Sequence, residues 1–254
     1  MQGERRMDIS MSTRHYVAAW TFAVLAGLLT GCASTPSFAP AKVAIAEPRG
    51  EVPILWASIA RPAPLPPLDH AAILVPVVFT GVGDRVLYMQ FDLGHSSTVL
   101  YANKWADLAR RANLEDNGEQ VATLRFGLGS LSVTASDVAI VKREGAGIDW
   151  TSEQVEIIGT IGADLIDGRV VVLDFSNDTI LLSRDRNGLS VGAEKFQPFR
   201  FQGRRILLPA QFEGRETSVL YDSGSSAFSW LTNEDTFSRL AKPNAVPDRY
   251  PIRS

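Results

Sequence analysis

The sequence predicts a mostly β fold assembled from two related halves, and three observations support that prediction. Short runs of β-branched and apolar residues recur between turn residues from position 71 to 183. An aromatic residue followed by Asp-x-Gly-x-Ser occurs at 91–96 and again at 221–226. Each copy is preceded by the same approach, hydrophobic-Pro-x-x-Phe-x-Gly, which begins at Val75 and at Leu208. The wide separation of the two copies fits two lobes better than a short solenoid repeat.

Composition limits the class of protein. The chain has 254 residues, a formal net charge of −3 and 45% hydrophobic residues, which is enough for a sizeable core in one large or two small domains. No cluster of Lys and Arg follows the N-terminal region, so we expect no nucleic-acid partner. Cys32 is the only cysteine, which excludes a disulfide framework.

The N-terminus has the features of a secretion signal. Arg5, Arg6 and Arg14 precede an apolar run from Val17 to Leu29, and this order is typical of a signal peptide. Leu29-Thr30-Gly31-Cys32 then resembles the lipobox of bacterial lipoproteins. The resemblance implies a signal peptide over 1–31, lipidation of Cys32, and attachment to the outer membrane or periplasmic face of the bacterial envelope. A plain signal peptide or a buried cysteine are the alternatives.

A proline-rich segment follows Cys32. Eight prolines lie between positions 33 and 67, which disfavours long helices and central strands. The sequence therefore predicts an extended tether over residues 32–70. Pro62–Pro67 could alternatively be a peptide-recognition motif.

The first lobe is expected over residues 71–190 and part of a second over 191–254. Asn103 is a candidate N-cap for a helix over 103–112, whose face would bury Trp105, Leu108 and Ala109. A second helix is expected over 233–240. Strands are expected at 71–80, 85–91, 98–101, 121–126, 131–134, 138–142, 169–175 and 179–183.

The repeated motif carries the chemistry. Gly94 and Gly224 allow sharp turns and close approach of another chain segment, while Ser96, Ser97, Ser225 and Ser226 supply hydroxyls that could orient a carboxylate. If the two loops meet, Asp92 and Asp222 cannot both ionise, and they share one proton. Such a pair can activate water and protonate a carbonyl oxygen in turn. This predicts hydrolysis of amides without a covalent intermediate.

These residues resemble the signature of the pepsin–retropepsin superfamily of aspartic peptidases, which is an apolar residue followed by Asp-Thr/Ser-Gly-Ser/Thr/Ala. The segment 159–165, with Gly162, is similar to the family's apolar–apolar–Gly segment, which packs beside the Asp loop. The resemblance covers about residues 73–231. It implies an acid-protease-like architecture with one complete lobe and a partial second lobe.

Three features depart from that pattern. Leu93 replaces a Thr or Ser whose hydroxyl bonds to the opposite loop, and His95 replaces a small residue; we expect His95 to face solvent. No apolar–apolar–Gly segment follows Asp222. The sequence leaves three explanations open, namely a truncated chain, a degenerate second lobe, or a homodimer of the first lobe. Residues 126–130 are a candidate for the flap hairpin.

The sequence therefore predicts an aspartic endopeptidase that cleaves peptides or proteins of the cell envelope, with Asp92 and Asp222 as its catalytic residues. No cofactor or metal is expected, because Asp164, Asp167 and Asp174 do not have a recognised metal-binding spacing and are assigned to turns and strand ends. The alternative is a non-catalytic envelope lipoprotein that binds extended peptides in an acid-protease-like cleft.

Overall fold

The computed structural model describes residues 41–61, 66–187, 197–226 and 230–242. Of these residues, 46% lie in strands and 13% in helices, which confirms the mostly β fold. The signal peptide over 1–31 and Cys32 lie outside the described residues. Within the described residues, no helix has the length and apolar character needed to cross a lipid bilayer.

The elements follow one another along the chain as fourteen strands, two α-helices and two short 3-10 helices within the described ranges. The strands are β1 (Lys42–Ile45), β2 (Arg49–Pro53), β3 (Leu55–Ile59), β4 (Leu68–Val78), β5 (Leu87–Phe91), β6 (Val99–Tyr101), β7 (Gln120–Leu128), β8 (Leu131–Val141), β9 (Ile157–Ile161), β10 (Val170–Asp174), β11 (Thr179–Ser183), β12 (Arg200–Gln202), β13 (Arg205–Phe212) and β14 (Arg215–Leu220). The α-helices are α1 (Ala102–Ala112) and α2 (Glu234–Leu240), and the 3-10 helices are Ala163–Ile166 and Ser223–Ser225.

Three sheets organise these strands. The largest has the order β1-β8-β6-β9-β5-β4-β3, with β7 pairing to both β4 and β8. A second sheet has the order β10-β11-β2, and a third has the order β12-β13-β14. Side chains of the first two sheets and of α1 form one buried apolar cluster, in which Phe91, Trp105 and Ile180 are almost fully inaccessible. The third sheet is largely exposed along its strands.

The expected tether over 32–70 is wrong for the described residues 41–61, which form three strands of the folded unit. Strand β1 pairs with β8, β2 with β11 and β3 with β4. Ile45 and Val52 are buried in the core, so the folded part begins well before the expected residue 71. The prolines permit these strands because Pro48 lies between β1 and β2, while Pro53 ends β2 at a sheet edge.

Pro76 lies inside the long strand β4, where a missing N–H could break the sheet. Its pairing with β3 has ended at Leu74, and pairing with β7 begins only at Val77. On the other side Pro76 is opposite Tyr88 of β5. The proline therefore occupies a gap between two neighbouring strands, which is a position where a strand tolerates proline.

Helix α1 forms as the spacing of its apolar residues predicts. Trp105, Leu108 and Ala109 are its buried residues, which confirms the expected face. The expected cap is wrong, since Tyr101 is the N-cap residue and the Asn103 amide instead donates to the Ala146 carbonyl at 3.0 Å. Helix α2 begins after Asn233, whose side chain accepts a hydrogen bond from the Thr236 N–H and so caps the helix as a side-chain acceptor should.

Strands β7 and β8 form one long hairpin, so the two short strands expected at 131–134 and 138–142 are a single strand. The hairpin turn at Gly129 lies against the backbone of Glu51 and Val52, where an added Cβ would collide. Leu128 pairs with Val77, whose other neighbour is Leu87 at the start of β5. The turn is therefore at the end of β5 away from Asp92. It is not positioned as the flap that residues 126–130 were expected to form.

Candidate active site

The first Asp loop, residues 92–97, forms where the chain leaves β5 and crosses to β6. Strand β9 lies between these two strands and runs parallel to β5. The Asp92 N–H donates to the Ile161 carbonyl at 2.9 Å, which fixes the start of the loop on the end of β9. The Asp92 Oδ1 accepts hydrogen bonds from the Gly94 and His95 N–H groups at 2.8 and 3.2 Å. These local bonds hold the carboxyl just beyond the C-terminal end of β5.

The second Asp loop, residues 222–226, follows β14 in the same manner. Asp222 caps a 3-10 helix, and its Oδ1 accepts from the Gly224 N–H at 2.9 Å. Its Oδ2 accepts from the Ser225 hydroxyl at 3.1 Å. The Ser226 hydroxyl donates to the His70 carbonyl at 2.8 Å and so joins this loop to β4.

The two loops face each other, and each glycine lies against the opposite carboxyl. A methyl group added to Gly94 would lie 2.5 Å from Cγ of Asp222. One added to Gly224 would overlap the carboxyl of Asp92. Because ordinary contacts of a Cβ atom begin near 3.4 Å, only glycine fits at either position. The approach of the two aspartates therefore depends on this reciprocal pair of glycines.

Ser223 joins the loops through its buried hydroxyl. The Ser223 Oγ accepts from the Leu93 N–H at 2.9 Å and donates to the Phe91 carbonyl at 3.1 Å. The side chain of Leu93, at the equivalent place in the first loop, is buried and has no hydroxyl to return these bonds. Gln90 Nε2 adds a bond of 3.1 Å to the Gly224 carbonyl. The connection between the loops therefore depends mainly on the Ser223 hydroxyl of the second loop, and Leu93 of the first loop provides no matching bond.

Replacing Ser223 with alanine is expected to loosen this connection. The change leaves the Leu93 N–H and the Phe91 carbonyl without their buried partner, which costs about 1–3 kcal/mol in the free energy of unfolding. Urea denaturation of wild type and Ser223→Ala would measure that loss. Ser218→Ala is the matched control, because within the described part of the chain the Ser218 hydroxyl pairs only with exposed Arg200. Equal effects of the two changes would show that the Ser223 bonds do not fix the loops.

The segment after β9 supports the first loop. A Cβ on Gly162 would lie 2.6 Å from the Ser97 carbonyl, so glycine is required for this close packing. The Ala163 N–H donates to the His95 carbonyl at 2.8 Å. Asp164 is 1% exposed, and its carboxyl accepts from the Thr98 N–H and hydroxyl at 2.7 and 2.9 Å. Asp164 is therefore a buried anchor for the loop, and not a simple turn residue as the sequence suggested.

Asp164 makes the stability of the fold depend on pH. Burial raises its pKa, although the Thr98 donors oppose the shift. The folded state then holds the proton more tightly than the unfolded chain, so this carboxyl lowers stability as pH rises from the ordinary value of about 3.9 through the raised pKa. Asp164→Asn is expected to remove that component. Urea midpoints of both proteins from acid to neutral pH would measure it, and parallel curves would contradict it.

The surroundings of Asp92 raise the pKa of its carboxyl. Burial raises its pKa, and the nearby Asp222 carboxyl raises it further by charge repulsion and by hydrogen bonding. The Gly94 N–H and the charge of His95 oppose this shift. A carboxyl in such surroundings remains protonated at a pH where an exposed one has ionised. The site can therefore hold a proton between two carboxyls.

Not every hydroxyl expected to orient a carboxylate does so. Ser225 contacts Asp222 directly, but Ser226 bonds to a β4 carbonyl. Among the described residues, no hydroxyl donates to Asp92, so the role expected for Ser96 and Ser97 is not observed. The reason is the exposed His95, which stands where the second loop has Ser225. Its Nδ1 lies 2.5 Å from the Ser97 carbonyl.

Sequence reasoning missed the supporting role of three residues. These are Gln90, Thr98 and Asp164. Gln90 left a signal, because it is a polar residue inside an alternating, largely buried strand. Thr98 and Asp164 left none, since their pairing joins positions 66 residues apart.

A cleft of about 1010 Å³ opens from Asp222 between the third sheet, α2 and the large sheet. Its walls include two sets of contacting rings. His70 and Phe175 lie edge-on to Trp56, with ring centroids 4.7 and 5.4 Å away, and Phe212 lies 5.1 Å from Trp230. Aromatic side chains therefore form part of two walls of this cleft.

The described residues contain no group of three or more His, Cys, Asp or Glu side chains arranged to hold a metal ion. No protein-family model matches the chain, and no curated protein or solved structure matches it either. The function of this site therefore has to be inferred from its own geometry.

Proposed function

We propose that this chain is an aspartic endopeptidase with a pepsin/retropepsin-like fold, in which Asp92 and Asp222 form the catalytic pair. The observation that supports the proposal most is the reciprocal packing of the two loops, where each glycine lies against the opposite aspartate. If the two aspartates were unrelated turn residues, their loops would not need to pack so closely that neither Gly94 nor Gly224 can carry a methyl group. A pair that shares a proton requires this approach.

The pair would hydrolyse a peptide bond through an activated water. One carboxylate takes a proton from the water as its oxygen attacks the carbonyl carbon, and the other carboxyl gives a proton to the carbonyl oxygen. As the C–N bond breaks, the proton taken from the water passes to the leaving amine, and a hydroxyl of the tetrahedral intermediate returns its proton to the second carboxyl. The raised pKa of Asp92 supports this role, because it keeps one acid available beside one base.

The substrate is proposed to be an extended peptide or an unfolded stretch of protein. The cleft beside Asp222 is open, and aromatic side chains such as Trp56 and Trp230 line it. Such walls suit apolar side chains of a bound peptide. One chain supplies both facing carboxyls, so the catalytic pair does not require a homodimer.

Lipidation of Cys32 would place the enzyme at the bacterial envelope, among envelope peptides and proteins. This part of the proposal depends on the signal in residues 1–32 alone. Labelling with a fatty-acid analogue should mark the wild-type chain and not Cys32→Ser. Equal labelling of the two would contradict it.

Cleavage of a mixed peptide library tests the proposed activity. The chain carrying Cys32→Ser is incubated with the library over roughly pH 3–7, the range that shared-proton carboxyl pairs cover. Mass spectrometry is expected to find new termini, with apolar residues near the cut sites. A folded protein that cleaves nothing would contradict the proposal.

The alternative is a non-catalytic lipoprotein that binds extended peptides. The one-sided connection through Ser223, with Leu93 opposite, favours it, because a loosely fixed pair could bind without cleaving. Retention of library peptides on the immobilised protein, without any new termini, would favour this function.

A further inference from the structure

Strand β14 has a free edge, and its residues line the cleft. Within the described part of the chain, β14 pairs only with β13. The turn between them has two residues, so Phe212 and Arg215 form a hydrogen-bonded pair, and bonded and non-bonded pairs alternate from there. Ser218 and Pro209 are then a non-bonded pair, which suits a residue without an N–H. The N–H and C=O groups of Ser218 and of Leu220 therefore point to the free edge.

The corresponding edge in the first lobe is covered by a strand. Counting back from the two aspartates places Tyr88 of β5 where β14 has Ser218. Tyr88 is opposite Pro76 of β4, and Ser218 is likewise opposite a proline of β13. The Tyr88 N–H donates to the Glu156 carbonyl at 2.9 Å, just before β9, and β9 continues along β5 as a parallel strand. The two edges have the same geometry, but only the first has a described partner.

Strand β9 both covers apolar surface and fixes the first Asp loop. Ile158 and Ile161 are fully inaccessible, and the strand packs against α1. The Ile161 carbonyl accepts from the Asp92 N–H at 2.9 Å, and the following Ala163 N–H donates to the His95 carbonyl. A strand of this type would give the second lobe the same two kinds of support.

The second lobe exposes the apolar side chains that such a strand would cover. Four of them, from β14, from the segment before α2 and from α2, line the cleft and are 41–46% exposed: Leu220, Trp230, Leu231 and Leu240. By contrast, the strand β5 alternates between buried and half-buried residues. Apolar side chains gathered on one exposed surface are typical of a site that binds another polypeptide.

The residues after Asp222 do not supply a strand of the β9 type. β9 contains Gly159 and is followed by Gly162, and a Cβ at either position would collide with the backbone of the neighbouring segment. No glycine follows Gly224 in the sequence. A second copy cannot lend its own β9, because that strand lies between β5 and β6 in the large sheet.

We propose that the free edge of β14 binds an extended polypeptide strand from outside residues 1–254, which runs parallel to β14 and has the apolar residues and glycines of β9. Its backbone would pair with Ser218 and Leu220, and its apolar side chains would cover the exposed surface between β14 and α2. It is a supporting partner and not a substrate. The wall of the cleft that contains Trp56 would remain open to a substrate. This interaction does not depend on cleavage.

Hydrogen exchange with a matching peptide tests the proposal. The probe is a synthetic peptide with the sequence of residues 156–164, added in excess to the chain carrying Cys32→Ser. The amides of Ser218 and Leu220 are expected to exchange at least about tenfold more slowly with this peptide. A peptide of the same composition in scrambled order should leave them unchanged. Equal protection by the two peptides, or none by either, would overturn the proposal.

Ser218→Pro tests the register of the bound strand. The change removes an N–H that points to the free edge, and a proline there leaves the pairing with β13 intact. Protection of the Leu220 amide by the peptide should therefore be lost. Ser218→Ala is the matched control, because it keeps the N–H and should bind as wild type does. Unchanged protection in Ser218→Pro would overturn the assigned edge.

Two further outcomes identify other occupants of the edge. Protection of Leu220 that rises with protein concentration, without any peptide, would show that a second copy covers β14 and would overturn the proposal. Cleavage of the bound peptide would make it a substrate and would overturn its role as a supporting partner. Specific protection by the peptide in a protein that cleaves nothing would support the proposal and reject the peptidase function alone.

Discussion

Asp92→Asn is expected to lower peptide cleavage by about 10²–10⁴-fold, because asparagine cannot transfer a proton to or from the reacting groups. The fold should remain, since an asparagine Oδ1 can still accept from the Gly94 N–H. Stability should rise at neutral pH. The pKa of Asp92 is raised in the fold, so its ionised form costs stability as pH rises through that value, and a neutral side chain removes the cost.

Initial rates and thermal melting of the purified variant measure both effects. Asp84→Asn is the control, because Asp84 is an exposed aspartate in the turn before β5. Cleavage by Asp92→Asn at the wild-type rate would contradict the catalytic role. An inactive variant that melts well below wild type would show that Asp92 also holds the fold together.

Gly224→Ala is expected to abolish cleavage almost as completely. The added methyl group would overlap the Asp92 carboxyl, so the loops must separate and the proposed sharing of a proton would be lost. Gly94→Ala should act in the same way, because its methyl group would meet the Asp222 carboxyl. Cleavage assays on both variants measure the loss, which we expect to reach at least about 10²-fold.

Gly127→Ala is the matched control for these two changes. A Cβ at Gly127 would make ordinary contacts with Val78, the nearest at 3.7 Å. Activity close to wild type is therefore expected for this variant. If Gly224→Ala and Gly94→Ala also kept wild-type activity, close approach of the carboxyls would not be needed for catalysis.

Local features of the fold were predictable from the sequence. Helix α1 and its buried Trp105 follow from the spacing of apolar residues over three turns. The two hairpins before Asp92 and Asp222 follow from alternating apolar residues and Gly-containing turns. In each case the decisive information lies within about ten neighbouring residues.

The N-terminal strands were not predictable in the same way. Prolines in residues 41–61 gave a strong local signal against regular structure. This signal was outweighed by strand pairing. The partners of β1 and β2, which are β8 and β11, lie far along the chain, whereas β3 pairs with the next strand, β4. The error also affected the prediction of the site. Trp56, which the sequence placed in the tether, lines the cleft beside Asp222.

The sequence predicted the main residues of the candidate site, but it did not predict how the hydrogen bonds of the two loops differ. The repeat singled out both aspartates and both glycines. It also made the serines of the two loops look equivalent, although among the described residues Ser225 is the only one of them that donates to a carboxyl. The differences themselves, Leu93 against Ser223 and His95 against Ser225, are visible in the sequence. The hydrogen bonds that these residues make become known only from the three-dimensional structure.

We propose that Asp92 and Asp222 share one proton, and titration of the wild-type pair tests this most directly. The ¹³Cγ signals of both residues, assigned by their loss in Asp92→Asn and in Asp222→Asn, are followed from acid to neutral pH. A shared proton predicts that both signals respond to both of two separated ionisation steps, one of them well above the ordinary value of about 3.9. Two independent single steps near that value would contradict the claim.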